Sequence, residues 1–222
     1  MDASKHLEIR LPYTRFTSVQ KQLTGVIAID YFFARQFTEL LLKPVADRVK
    51  SSDVDSLFHC LIALSVSLRD GHGCLPLSSI AGQRFAFASD ENNVITHQGY
   101  IFNDFASLNQ LLQGLSLAPS DQQAVVYHNQ RLYLRRYHLF EQELGQYLAT
   151  QASIKPLYEQ AQYQQIAACL EALFPTAASD DNIDIDWQKV AVANAINKRF
   201  SVIAGGPGTG KTYTVTKLLA AL

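Results

Sequence analysis

The spacing of apolar positions changes several times along the chain, and each change predicts an element. The first twenty-five residues have no clear period and predict a loose arm. From Ile29 to Leu42, Phe33, Phe37, Leu40 and Leu41 fall at i, i+4, i+7 and i+8, which is one face of a helix. Pro44 ends it, because proline lacks the N–H a helix needs. Ser52 or Asp53 is suited to cap a second helix carrying Leu57, Phe58, Leu61, Ile62, Leu64 and Leu68. Those residues spread around most of its circumference, which predicts the buried centre of a first domain. Gly71-His72-Gly73 breaks it. Short helices are expected at Leu75–Ile80, behind Pro76, and at Asp104–Leu112. Around Val125–Leu134 the residues become β-type on either side of Asn129-Gln130, which predicts a hairpin. Helices resume at Phe140–Gln151 and Tyr158–Leu173. Thr176–Asp186, polar and holding four aspartates, is expected to be a linker.

Composition narrows the class. Of 222 residues 48% are apolar, enough for a substantial core, while only 18% are charged. An average domain carries roughly 25%, so part of the apolar surface is available for a partner. No apolar run approaches the roughly 18 residues of a membrane span, and the N-terminus lacks the apolar stretch of a signal peptide. Cys60, Cys74 and Cys169 fit neither a disulfide framework nor a zinc pattern, which points to a reducing cytoplasm. The net charge of −1 hides an asymmetry. Residues 187–222 hold five cations (Lys189, Lys198, Arg199, Lys211, Lys217) and no acid, leaving fourteen cations against twenty acids before them. The acidic part is a poor candidate for gripping nucleic-acid phosphates, and the basic part suits an anionic ligand.

That ligand has a specific seat. Phe200-Ser201-Val202-Ile203-Ala204 reads as a short buried strand. Gly205, Gly206, Pro207, Gly208, Thr209, Gly210, Lys211 and Thr212 follow it, matching G-x-x-x-x-G-K-[ST], and a helical segment runs from Tyr213 to Leu222. Glycines let successive backbone N–H groups point into one concavity, and the helix start adds free N–H groups and partial positive charge. Lys211 is the candidate catalytic cation at the β- and γ-phosphates of ATP, and Thr212 the hydroxyl that coordinates Mg²⁺. Upstream, Asp186-Trp187-Gln188 opens a further helix. The Gln188 amide offers a donor beside an acceptor, the pattern that reads the N6/N7 edge of adenine.

Trp-Gln-Lys-Val-Ala, a helix, a strand and Gly-Gly-Pro-Gly-Thr-Gly-Lys-Thr together resemble the start of the motor of superfamily-one DNA helicases. More closely they resemble the RecD family, the alpha subunits of RecBCD helicase–nucleases (exonuclease V). Asp70–Leu77, Arg131–Arg136 and Lys217–Leu222 share the resemblance, which is dense after Leu173 and thin before it. It implies an α/β, RecA-like P-loop motor, truncated here, behind a mainly α N-terminal domain with a small β-hairpin. It also implies ATP and Mg²⁺ as cofactors, Gln188 as the adenine reader, and 5′-to-3′ DNA unwinding in double-strand break repair and recombination. RecC-like and RecB-like subunits are the implied partners, with DNA in the full complex. The family's remaining motor motifs lie beyond the phosphate loop, so the chain is expected to be an inactive N-terminal fragment. The division expected is 1–125 for partner docking, 126–182 for hairpin, helices and acidic linker, and 183–222 for the motor's start. Tyr213 departs from the family, which usually has a small residue there, and its ring is expected to crowd or stack on the nucleotide.

Other signals weigh less. His72 and Cys74 have no second ligand pair at metal spacing, and Glu141 and Glu143 form no acid pair. Arg131, Arg135 and Arg136 alternate with apolar residues as a half-buried strand with a solvated basic face would. The competing reading of the chain is a scaffold or regulatory protein whose P-loop only senses nucleotide. A metabolic kinase is disfavoured, since about 200 residues precede the loop.

Overall fold

Ser51–Arg69 holds the most concentrated apolar stretch of the first part, and the chain is built around it. In the computed structural model, which describes residues 9–154, 158–175 and 185–222, this nineteen-residue segment is a helix. Leu57, Phe58, Leu61, Ile62 and Leu64 have no exposed surface, each contributing about 1.5–3 kcal/mol by burial. Its cap differs from the expectation: Lys50 is the N-cap, and the Asp53 carboxylate reaches back to accept the Lys50 N–H at 3.3 Å.

The chain divides into two compact units, Met1–Glu141 and Gln142–Leu222. In the first, α1 (Phe16–Gln22), α2 (Ala28–Leu42) and α3 (Ser51–Arg69) come in order, α2 lying along α3. Then follow β1 (Leu75–Pro76), β2 (Arg84–Phe85), β3 (Ala88–Ser89), β4 (Ile95–His97), β5 (Tyr100–Ile101) and α4 (Phe105–Gln113). The hairpin β6 (Val125–His128) and β7 (Arg131–Leu134) leads into α5 (Arg135–Ser153). The second unit holds α6 (Gln160–Leu173), α7 (Trp187–Ile196) and α8 (Lys211–Ala221). The whole is mainly helical with small sheets.

The hairpin forms as expected, Val125 opposite Leu134 and His128 opposite Arg131. Asn129 and Gln130 both take positive φ (48° and 61°), which a two-residue turn between right-twisted strands requires. β7 also pairs with β1, so the order is β1-β7-β6 and the hairpin belongs to the first unit. The antiparallel ribbons β2–β5 and β3–β4 were not expected, and Leu75–Ile80 is a two-residue strand plus a single 3₁₀ turn rather than a helix.

Three further expectations are corrected. Part of the first twenty-five residues is held in the core rather than loose: Val19 of α1 is fully buried and Leu23 is 1% exposed. In α2 the core-facing residues are Asp30, Tyr31, Ala34, Thr38, Leu41 and Leu42. Of the expected set only Leu41 is inside; Phe33 and Phe37 pack ring to ring at the core's margin, and Leu40 faces outward. The face is misread because it contains an acid. Asp30 has no exposed surface, and it accepts hydrogen bonds from the Ile27 N–H (2.9 Å), the Ser65 hydroxyl (2.7 Å) and the Arg69 guanidinium (3.3 Å). A buried carboxylate persists only with such partners.

The third correction concerns Phe200–Ala204, which is not a strand. The run has no regular structure, and Val202 is 75% exposed. A strand exists only through hydrogen bonds to a neighbour, and none lies beside this run among the described residues. The half-buried strand expected to carry Arg131, Arg135 and Arg136 ends at Leu134, and Arg135 and Arg136 open α5. Arg135 turns back to donate to the carbonyls of Gln123 and Pro119, fixing the loop before the hairpin. Most of the expected acidic linker, residues 176–184, lies outside the described residues. Among the described residues, no helix is long and apolar enough to cross a membrane.

Candidate nucleotide-binding site

The second unit has a small core of Leu170 and Phe174 from the α6 side and Val192 and Ile196 from α7, with Leu218 and Ala221 of α8 packed against it. Two polar devices orient these helices. Asp186 caps α7, its carboxylate accepting the N–H groups of Gln188 (2.9 Å) and Lys189 (3.0 Å). The Lys189 ammonium then meets the Glu171 carboxylate of α6 at 2.7 Å.

The loop from Gly205 to Gly210 turns sharply into α8. Gly208 and Gly210 have φ of 79° and 75°, a conformation that side-chain-bearing residues rarely adopt. A Cβ on Gly210 would also displace the end of the flexible Gln188 side chain, but it is the positive φ that calls for glycine here. The turn is braced from within. Thr209 Oγ1 donates to the Gly206 carbonyl at 2.9 Å. Thr214, buried at 3%, directs its backbone N–H (2.9 Å) and its hydroxyl (3.1 Å) at the Gly210 carbonyl. Thr214 and the Asp186 cap were not singled out in the sequence. Their signals are positional: a hydroxyl at i+4 from the last loop glycine, and an acid just before a helix.

The structure brings Gln188 and the loop together, for the Gln188 Nε2 donates to the Thr209 carbonyl at 3.3 Å. One amide hydrogen is thus engaged, and an N–H and the amide oxygen remain as a donor–acceptor pair. Lys211 lies folded over the loop, its ammonium donating to the carbonyls of Gly205 (2.7 Å) and Gly206 (2.6 Å). Thr212 is exposed in the first turn of α8. Tyr213 does not project freely. Its ring meets Phe174 edge to face at 6.3 Å, and the Lys217 ammonium lies 5.0 Å from its centre. The first turn of α8 leaves its N–H groups without intrahelical acceptors, and a Cβ built on Gly208 would point into open space. Free N–H donors, an ammonium and an exposed hydroxyl on one turn fit a triphosphate with its divalent cation.

Residues 188–222 match the family model of an AAA domain. Residues 23–133, half of the chain, match the model of the RecBCD enzyme subunit RecD, N-terminal domain. The chain belongs to the RecD family. RecD of Haemophilus influenzae is 55% identical over 60 residues, 27% of this chain and 9% of that protein. RecD of Buchnera aphidicola is 28% identical over 166 residues (73% of this chain, 26% of that protein). RecD of Mycobacterium tuberculosis is 30% identical over 161 residues (72% and 24%). The chain therefore spans about a quarter of the length of the Buchnera and Mycobacterium RecD proteins. The two matched models divide between the two units: the RecD N-terminal model falls within the first, and the AAA model within the second.

Proposed function

We propose that this chain carries the partner-docking unit and the nucleotide seat of an ATP-dependent DNA helicase subunit. The subunit would move 5′ to 3′ within a cytoplasmic RecBCD-type helicase–nuclease, acting in double-strand break repair and recombination. The observation that carries this reading is a phosphate loop with a glutamine amide hydrogen-bonded to it, on a chain of the RecD family.

ATP with Mg²⁺ supplies the phosphoanhydride whose cleavage drives such a motor. The backbone N–H groups of the loop and of the first turn of α8 would hold its phosphates. Lys211 would exchange the carbonyls of Gly205 and Gly206 for β- and γ-phosphate oxygens. A bond to an ionised acceptor is roughly twice as strong as one to a neutral carbonyl, so the exchange favours the bound state. Thr212 would give its hydroxyl to the metal. Gln188 would read adenine while its second amide hydrogen keeps the Thr209 carbonyl, so that the base and the phosphate loop are sensed by one side chain.

The first unit would dock a RecC-like subunit, with a RecB-like subunit completing the assembly on DNA. The outer face of α2 supports this. Ile29 (62% exposed), Phe32 (55%) and Leu40 (47%) lie on the side of the helix opposite Asp30, Ala34 and Thr38. The nearby charges Arg35 and Glu39 neutralise each other at 3.3 Å, so an apolar, weakly charged partner surface is the complement.

The base-reading role is tested by Gln188→Ala in the full-length protein. A bidentate base contact is worth about 1–3 kcal/mol, so kcat/KM for ATP should fall roughly tenfold or more. GTP should change little, narrowing the preference between bases. An unchanged ATP-to-GTP ratio would leave Gln188 as a brace for the Thr209 carbonyl and remove it from nucleotide recognition.

A further inference from the structure

Tyr213 sits directly after the phosphate loop; the residue is half exposed, and one side of its ring rests against the protein. Phe174, 5% exposed and anchored by its N–H to the Leu170 carbonyl at 3.0 Å, presents its ring to Tyr213 at 87°, an edge-to-face contact. Lys217, one turn further along α8, holds its ammonium 5.0 Å from the Tyr213 ring centre and 6.0 Å from that of Phe174. Both contacts suit an aromatic quadrupole, whose positive edge meets a ring face and whose negative face attracts a cation.

The Tyr213 backbone N–H belongs to the first turn of α8, where N–H groups have no intrahelical acceptor. The residue that offers this donor is therefore fixed by its own side chain to the end of α6. We propose that Tyr213 is a positioning residue. Its ring, held by Phe174 and Lys217, fixes the first turn of α8 and with it the phosphate-binding N–H groups, and it does not stack on the nucleotide base. The inference rests on the phosphate-seat reading above. It reverses the expectation drawn from the sequence, in which the ring crowds or stacks on the nucleotide. The hydroxyl has no part in either contact, so phenylalanine should serve equally well at this position.

The test is equilibrium binding of ATP, GTP and inorganic tripolyphosphate to the full-length protein, with hydrogen exchange across residues 210–215 as a second readout. Tyr213→Thr and Phe174→Leu should each weaken all three ligands by a similar factor, roughly three- to tenfold, the range of one aromatic pair. The double variant should be little worse than either single one, since both remove the same contact. Tyr213→Phe should bind like the wild type. Without any ligand, exchange in the first turn of α8 should quicken in Tyr213→Thr and stay unchanged in Tyr213→Phe.

A loss confined to ATP and GTP, with tripolyphosphate unaffected and Phe174→Leu silent, would overturn the inference in favour of base stacking. Additive effects of Tyr213→Thr and Phe174→Leu would overturn it as well. Lys211→Ala separates the two levels of the argument. If it fails to weaken tripolyphosphate, the phosphate seat itself is wrong. If it weakens tripolyphosphate while the Tyr213 variants do not, only the positioning role falls.

Discussion

Replacing Lys211 with alanine in the full-length protein is expected to lower the turnover of ATP and GTP alike, on the order of 10²–10³-fold, the usual cost of losing one group that stabilises transition-state charge. The equality between the two nucleotides follows from position. Lys211 lies over the loop against Gly205 and Gly206 and has no contact that would identify a base. The fold should survive, because the ammonium is only partly buried and its present acceptors are exposed loop carbonyls. A stability change within about 0.5 kcal/mol is expected for such a site. Steady-state phosphate release with each nucleotide, alongside thermal unfolding of the variant, checks both halves. Turnover that stays near the wild-type rate would remove Lys211 from the reaction. Loss accompanied by unfolding would say nothing specific about phosphate, which is why both are measured.

The largest effect on stability should come from Asp30→Ala. The carboxylate has no exposed surface and accepts from the Ile27 backbone, Ser65 and Arg69, joining the start of α2 to the last turns of α3. Its removal leaves the Ile27 N–H and the Ser65 hydroxyl without this acceptor, while Arg69 keeps the Gly25 carbonyl at 2.8 Å. Arg69 is 37% exposed and can turn to water, so the cost should lie near the lower end of the range for broken buried pairs, about 3 kcal/mol. That is a large share of the 5–15 kcal/mol that holds a typical domain together. Asp30→Asn should recover part of it, since an amide oxygen still accepts from Ile27. Urea unfolding monitored by circular dichroism measures the difference. A loss below about 1 kcal/mol would mean that the polar network contributes little beyond what water supplies.

Elements with a long local signal were legible in the sequence. α3 has apolar residues all round, α4 is announced by Asp104, whose carboxylate accepts the Ser107 N–H at 2.9 Å, and the hairpin is flanked by β-type runs. α1 was not, because its seven residues are too few to display a period. The two-residue strands β2, β3 and β5 carry no alternation at all, and β4 has only three residues. Phe200–Ala204 failed for the opposite reason: its β-type residues are real, but a strand depends on a neighbour that no local pattern supplies. α2 shows a different limit. Its most evident apolar stripe runs along the margin of the core, and the buried side is disguised by Asp30 and Thr38.

The candidate site was more legible than the fold, since eight consecutive residues hold most of it. What the sequence reading missed is the bracing around them: Asp186 on the start of α7 and Thr214 on the Gly210 carbonyl, which have local signals, and Glu171 on Lys189, which has none. Nor could it supply the direction of the Tyr213 ring. That direction depends on Phe174, a residue distant in sequence that the fold of the second unit brings alongside α8.

The central claim is that the nucleotide seat serves a DNA motor rather than a nucleotide sensor. It is tested most directly by measuring phosphate release from the full-length protein, assembled with the proposed RecC-like and RecB-like subunits, with and without single-stranded DNA. Any other nuclease or nucleotide-hydrolysing activity of the assembly is silenced, so that only this subunit hydrolyses. The account predicts hydrolysis that is slow without DNA, strongly stimulated by it, abolished in Lys211→Ala, and accompanied by unwinding from a 5′ overhang. Tight ATP binding with a hydrolysis rate that DNA leaves unchanged would contradict it and favour the nucleotide-sensing scaffold.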